Sequence, residues 1–332
     1  MRIALTYDLR SEYLALGWTE EEAAEFDSDS TIVAIEETLS QLGHGVERVG
    51  RCQELAKRLV QGDKWDLVFN IAEGARGRSR EAQVPALLEC FDVPYTFCDP
   101  LTAALTLDKA LAKRVVRDAG LPTPDFVFVE SPEDARRINL PFPLFVKPRA
   151  EGTGKGIDAK SVVRDAPALV RACDEMLARF PEGLLVEVFL PGREVTVGVV
   201  GTGRHTRALG VMEIVLREDA EREVYSFRNK ELCEERVHYR LTENGALWDE
   251  AERIALASYR VLGCRDAGRV DLRADADGRL HFLEVNPLAG LHPEHSDLPI
   301  LNRLVGRTYR ALIADIVTSA SERVQGNGRG RA

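Results

Sequence analysis

The chain has 332 residues, 45% of them hydrophobic and 30% charged, with a formal net charge of -10. This is the composition of a soluble globular chain with core enough for two domains or three small ones, and its acidic balance argues against a nucleic-acid partner. The six cysteines lack CxxC spacing and so carry no zinc or redox motif; they read as reduced thiols of a cytoplasmic protein.

The first apolar run, Arg2 to Tyr7, reads as a short buried strand. It meets Asp8 and Arg10 too soon for a signal peptide, and no stretch is long enough to span a membrane. Asp8 to Asp27 is long, acidic and without period, which predicts a mobile loop or lid. Ser28 or Asp29 caps a helix that runs to Leu42 and stops at Gly43. A strand at Val46–Val49, a helix at Cys52–Val60 and a strand at Trp65–Ile71 complete a βαβ pattern with a parallel sheet. Glu73-Gly74 leaves the end of that last strand, where open α/β sheets bind ligands.

Helices are predicted at Arg80–Cys90 and from Thr106 or Asp108 to Ala119, the latter stopped by Gly120 and Pro122. Strands follow at Phe126–Glu130 and Pro143–Val146. The second runs into Lys147 and a loop with Gly152, Thr153, Gly154 and Gly156, whose backbone N–H groups can wrap phosphates. Its lysine precedes the glycines, so it is not a Walker motif. After a helix at Pro167–Phe180, the strand Leu184–Leu190 suits an adenine, with Glu187 hydrogen-bonding and Phe189 and Leu190 packing around it. Strands at Glu194–Gly201 and Ala208–Leu216 precede a charged, irregular stretch, Glu218–Glu243, which reads as a second mobile loop and contains Lys230. A helix at Leu247–Leu262 follows.

Arg269–Arg273 and Leu280–Asn286 both alternate apolar and polar residues around Asp277-Gly278, the signature of a hairpin. A two-residue turn there puts Asp271 opposite Glu284 and Arg269 opposite Asn286, with Val270, Leu272, Leu283 and Val285 on the other face; a four-residue loop shifts the pairing by two but keeps the same four on one face. Facing carboxylates repel unless a cation lies between them, and Asp, Glu and Asn oxygens are the hard ligands Mg²⁺ takes alongside phosphates. His281 reads as a core or edge residue, and His292 and His295 as solvated loop residues. A loop from Leu288 to Pro299 then leads to one final helix, and the tail Gly326–Arg331 reads as disordered.

Taken together, Pro94-Tyr95-Thr96, Leu107-Asp108-Lys109, Gly120-Leu121-Pro122-Thr123-Pro124, Gly192-Arg193-Glu194, Gly263-Cys264-Arg265, Gly268-Arg269-Val270-Asp271 and Leu283-Glu284-Val285-Asn286 resemble, in order, the landmarks of the D-alanine–D-alanine ligase family of the ATP-grasp superfamily. The resemblance covers roughly residues 65 to 320. It implies an α/β chain: an N-terminal parallel-sheet domain (1–107), two α+β ATP-grasp subdomains (108–190 and 191–324) that sandwich ATP, and a tail (325–332). It also implies an ADP-forming carboxylate–amine ligase, cytoplasmic and homodimeric, that uses ATP with two Mg²⁺ or Mn²⁺ ions on amino acids or peptides. By position, Lys109, Lys147 and Gly152 to Gly156 would hold phosphates, Glu187 to Leu190 adenine, and Glu194 ribose. Asp271, Glu284 and Asn286 would ligate metal. Arg269 would stabilise the tetrahedral intermediate, Lys230 would reach the phosphates, and Gly290 and Ser296 would line the acceptor site.

The chain departs from the family where amino acids bind. It lacks the N-terminal glycine motif, and Glu73 stands where the family has histidine. Asp297 follows Ser296 where an apolar residue is usual, and either points away or meets a positive group on the acceptor. The alternatives are therefore a ligase for another amino acid or peptide, and a nucleotide-binding protein without ligase chemistry.

Overall fold

The computed structural model describes residues 1–216, 237–243 and 245–328, with side chains to 324. Strands β1 (Arg2–Thr6), β2 (Gly45–Gly50) and β3 (Leu67–Asn70) form a parallel sheet in the order β2-β1-β3. Between β1 and β2 lie α1 (Arg10–Ala15) and α2 (Asp29–Gln41), and α3 (Cys52–Val60) connects β2 to β3. Ser28 caps α2 by accepting from the Thr31 amide. Gly43, at φ +87°, takes the left-handed conformation just past its end.

Asp8–Asp27, expected to be a mobile loop or lid, is folded. Tyr13 stacks on Phe26 at 4.1 Å, and Trp18 meets Tyr13 edge-on at 5.0 Å. The Tyr13 hydroxyl donates to Asp8 Oδ1 (2.6 Å), and Leu9 pairs with Asp27. Aromatic burial offsets the ordering entropy here, at spacings that show no helix or strand period.

Next come α4 (Gln83–Cys90), α5 (Pro100–Leu107), α6 (Lys109–Asp118), β4 (Phe126–Val129), α7 (Pro132–Arg136), β5 (Leu144–Pro148), β6 (Val162–Val163), α8 (Ala166–Arg179) and β7 (Leu184–Val188). Of the two expected helix starts, Thr106 lies inside α5 and Asp108 is the start of α6. Asp108 leaves helical geometry at ψ 95° and caps α6 by accepting from the Leu111 amide. The four strands form an antiparallel sheet in the order β4-β7-β5-β6.

A five-stranded antiparallel sheet, β10-β9-β8-β11-β12, is built from β8 (Glu194–Val200), β9 (Arg207–Leu216), β10 (Val237–Leu241), β11 (Ala267–Ala274) and β12 (Leu280–Asn286). The end of the expected 218–243 loop is thus a strand, because Val237 pairs with Leu216 and is buried against Ile214. Residues 218–236 of that loop, Lys230 included, lie outside the described residues. Helix α9 (Ala246–Val261) covers the back of this sheet through Ile254, Ala255 and Tyr259, which pack on Val195, Val270 and Phe282.

The expected single last helix is two, α10 (Asp297–Leu304) and α11 (Tyr309–Gly328). Gly326–Gly328, expected in a disordered tail, end α11. Ile313, Ile316 and Val317 of α11 share a core with Ile32, Ile35 and Leu39 of α2, which fastens the C-terminal part to the N-terminal sheet.

Candidate active site

The β11–β12 hairpin carries the predicted register by an unpredicted route. Its turn is not the two residues Asp277-Gly278 but the loop Asp275–Arg279, closed by Asp275 N donating to Arg279 O (2.9 Å). Near the turn Ala274 faces Leu280 and Leu272 faces Phe282, one residue out of the expected pairing. A bulge beyond Leu272 restores it, so that Asp271 faces Glu284 and Arg269 faces Asn286. The bulge also corrects the predicted faces: Phe282 is the core residue, and Leu283 turns to the cleft beside Glu284. His281 is held by Asp275 at 3.0 Å.

A cleft between the four- and five-stranded sheets is lined by Phe145, Lys147, Gly152, Gly154, Glu187 and Leu190, among others. Phe189 lies on the same wall, over Phe145 at 6.4 Å. At its back Glu187 is buried between two ammonium groups, Lys147 Nζ at 2.7 Å and Lys113 Nζ at 2.8 Å. Lys113 also donates to Thr123 Oγ1 and Phe282 O, both at 3.1 Å, which uses all three of its N–H bonds. Burial pushes its pKa down to about 8 despite the pull of Glu187. Burial also works against the charge on Lys147 and on Glu187. Their attraction outweighs it, so Lys147 is raised and Glu187 lowered.

At the mouth, Lys109 Nζ donates to Glu151 O (2.6 Å) and lies 3.4 Å from Glu284. Glu194, on the opposite wall, pairs with Arg273 (3.3 Å). The glycine loop is held from outside the sheet that bears it. Glu25, from the N-terminal segment, accepts from the Gly152 amide, pairs with Arg80 (2.7 Å) and lies 3.4 Å from Lys155. Gly156 needs its missing side chain, since a Cβ there would stand 2.5 Å from the Phe180 ring; it packs behind the loop rather than on the cleft.

Asp271 accepts from Thr196 Oγ1 (2.7 Å) and from Asn286 Nδ2 (3.2 Å), and pairs with Arg269 at 3.0 Å. Among the described residues no group of three or more His, Cys, Asp or Glu side chains gathers at metal-binding geometry. The hairpin offers two facing carboxylates and one amide oxygen, a donor set that phosphate oxygens would complete, and it fits Mg²⁺ on those terms.

A second cavity of about 600 Å³ opens beside the cleft and shares Lys109, Gly152 and Glu284 with it. Thr153, Glu73, Arg269, Gly290, Ser296 and Asp297 lie on its wall. Asp297 corrects both expectations: it meets a positive group of this chain, Arg269 Nη1, at 2.8 Å. Ser296 Oγ accepts from the His292 amide (3.0 Å) and presses on Gly290, where a Cβ would come within 2.7 Å of it. His292 reaches Ser30 at 3.2 Å, so it is not simply solvated.

The sequence reading missed Lys113, Glu25 and Thr196. Lys113 had a signal, because it stands one turn after Lys109 on the same face of α6. Thr196 had a weaker one, as an inward polar residue in an apolar strand. Glu25 had none, since only the folding of 8–27 brings it to Gly152.

Two sheets that close on a cleft with lysines at its back and carboxylates at its mouth define an ATP-grasp fold. Solved structures agree. The ATP complex of the D-alanine–D-alanine ligase from Bacillus anthracis superposes with a TM-score of 0.71 over 99% of both chains at 21% identity. The VanG D-Ala:D-Ser ligase from Enterococcus faecalis does so at 0.72 over 96% of this chain and 99% of its own, also at 21% identity. The family model "D-ala D-ala ligase C-terminus" matches residues 115–318. Curated relatives include the D-alanine–D-alanine ligases of Bordetella avium (32% identical, 80% of this chain and 81% of that one) and Aquifex aeolicus (32%, 86% and 92%). A Sinorhizobium fredii protein, y4sG, described as uncharacterized, is 35% identical over 79% of this chain and 76% of its own. The chain belongs to the D-alanine–D-alanine ligase family.

Five described cysteines are free thiols, as expected; Cys233 lies outside the described residues. Among the described residues no helix is long and apolar enough to cross a membrane.

Proposed function

We propose that the chain is an ADP-forming ligase that joins the carboxylate of one amino acid to the amine of another, with ATP held between units 108–190 and 191–324. The observation that carries this reading is the junction of the two cavities at Lys109, Gly152 and Glu284. A nucleotide in the cleft would present its terminal phosphate there to a carboxylate in the larger cavity.

A carboxylate is a poor acyl donor because its leaving group would be oxide. Its oxygen attacks the γ-phosphorus, the bond to the bridging oxygen breaks, and ADP leaves an acyl phosphate. The amine, having given up a proton, then attacks the carbonyl carbon, and the C–O bond to phosphate breaks to release phosphate and the amide. Bringing two anions together needs cations. Lys109, Lys147 and the loop amides of Thr153 and Gly154 would hold the phosphates, with Glu187, Phe189 and Leu190 at the base and Glu194 at the ribose. Asp271, Glu284 and Asn286 would hold Mg²⁺ ions, which neutralise phosphate charge when bound. Arg269 would donate to the oxyanion of the tetrahedral intermediate, and Gly290 and Ser296 would seat the second substrate.

The test is ADP release with Mg²⁺-ATP over pairs of D- and L-amino acids, in the native chain and in Glu284→Gln. Native turnover should require two amino acids, and Glu284→Gln should lose at least a hundredfold of it while keeping its fold by circular dichroism. ADP release that is indifferent to amino acids, or an unimpaired Glu284→Gln, would overturn the reading.

A further inference from the structure

Every arginine and lysine on the wall of the larger cavity has an acid of this chain beside it: Arg80 has Glu25 (2.7 Å), Arg269 has Asp297 (2.8 Å), Lys109 has Glu284 (3.4 Å) and Arg10 has Glu20 (2.9 Å). Three further carboxyl groups line the same cavity: Asp27, Glu73 and Glu81. Asp27 is hydrogen-bonded by Thr31. Among the described residues none of the three forms an ion pair, and Glu73 and Glu81 have no hydrogen bond to their carboxylates. They are not placed to close on one metal ion, since no such group occurs among the described residues. What would satisfy them is an extended cation with its charges several bonds apart.

A single α-ammonium group answers one of three carboxylates, and a methyl side chain answers none. We propose that one of the two substrates is a diamino acid, whose α-ammonium and side-chain ammonium groups are held by Asp27, Glu73 and Glu81. The inference rests on the ligase reading and names the substrate class of that same site. Burial supports it: it pushes Asp27 up to about 7 and Glu73 well above the usual carboxylate range, with Glu81 and Glu25 adding repulsion at Glu73. Groups held in that way gain most from a cation. The cavity, about 600 Å³, has room for such a side chain beside a second amino acid.

The experiment compares kcat/KM for ADP release with D-alanine, 2,3-diaminopropionate, ornithine and lysine, both enantiomers of each, paired with D-alanine. It uses the native chain, Glu73→Gln and Glu81→Gln. A binding arm measures the Tm of each variant with Mg²⁺-ADP, with and without each amino acid. At least one diamino acid should exceed D-alanine tenfold or more in the native chain. Both variants should cut that preference at least fivefold, leave the Mg²⁺-ADP shift intact and lose the extra shift the diamino acid gives. D-Alanine as the best substrate, with a preference that the variants leave unchanged, would overturn the inference and spare the ligase reading. No ADP release with any pair, while Mg²⁺-ADP still raises Tm, would overturn the ligase reading and this inference together.

Discussion

The cleft and the cavity beside it meet at three residues but differ in how their charges are answered. In the cleft the buried charges close on one another: Glu187 lies between Lys113 and Lys147, and Glu194 pairs with Arg273. In the cavity three carboxyl groups, Asp27, Glu73 and Glu81, form no ion pair among the described residues. On the ligase reading the cleft takes the nucleotide, and the open carboxyl groups of the cavity take a cationic substrate.

The cleft should be the costlier half to disturb. Glu187→Leu leaves two buried ammonium groups without their acid, and removal of one partner from a buried pair costs about 3–5 kcal/mol. Denaturant unfolding should show that loss, and adding Lys113→Met should recover part of it. A Glu187→Leu chain as stable as the native one would mean that the two lysines do not depend on that carboxylate.

Arg269 is the link between the halves, since it pairs with Asp271 of the hairpin and Asp297 of the cavity wall. Arg269→Ala should lower kcat by roughly a hundred- to a thousandfold, the effect of losing one oxyanion donor. The nucleotide-induced rise in Tm should change little. A fall in nucleotide binding with kcat preserved would place Arg269 on the nucleotide side instead.

The smallest effect sharpens the cavity's side. Burial, with repulsion from Glu25, pushes the Glu81 carboxyl up to about 7 from its ordinary 4.5, although Arg80 and Lys109 pull the other way. A carboxyl that holds its proton more tightly folded than unfolded costs stability increasingly as pH rises through that window. Glu81→Gln should therefore match the native chain near pH 4.5 and exceed it at pH 8, by about 1 kcal/mol or ~2 °C in Tm. An equal Tm difference at both pH values would contradict the buried, unpaired state of Glu81.

The two halves also differ in how far the sequence reveals them. The cleft comes from residues at fixed places on strands, so period and spacing found Lys147, Glu187, Asp271 and Glu284. Even the hairpin register was right at the site, although the turn was not, because the bulge beyond Leu272 compensates for the longer loop. Lys113 was open to the same logic and was passed over, as one more basic residue on a charged helix. The cavity comes from segments far apart in the chain. Glu25 and Asp27 reach it only because Tyr13, Trp18 and Phe26 collapse a stretch that reads as an aperiodic loop. Asp297 reads as a side chain that either points away or meets a positive group on the acceptor, because nothing local reveals that Arg269 lies 2.8 Å away.

The most direct measurement of the central claim follows oxygen. Both amino acids of the pair that supports the fastest ADP release would be supplied with ¹⁸O in their carboxylates, and the released phosphate analysed by mass spectrometry. An acyl-phosphate route transfers one carboxylate oxygen to phosphate in every turnover, so the phosphate should carry one ¹⁸O for each ADP formed. Unlabelled phosphate released in step with ADP would mean that water, not the carboxylate, takes the phosphoryl group, and that the chain is not a ligase of this kind.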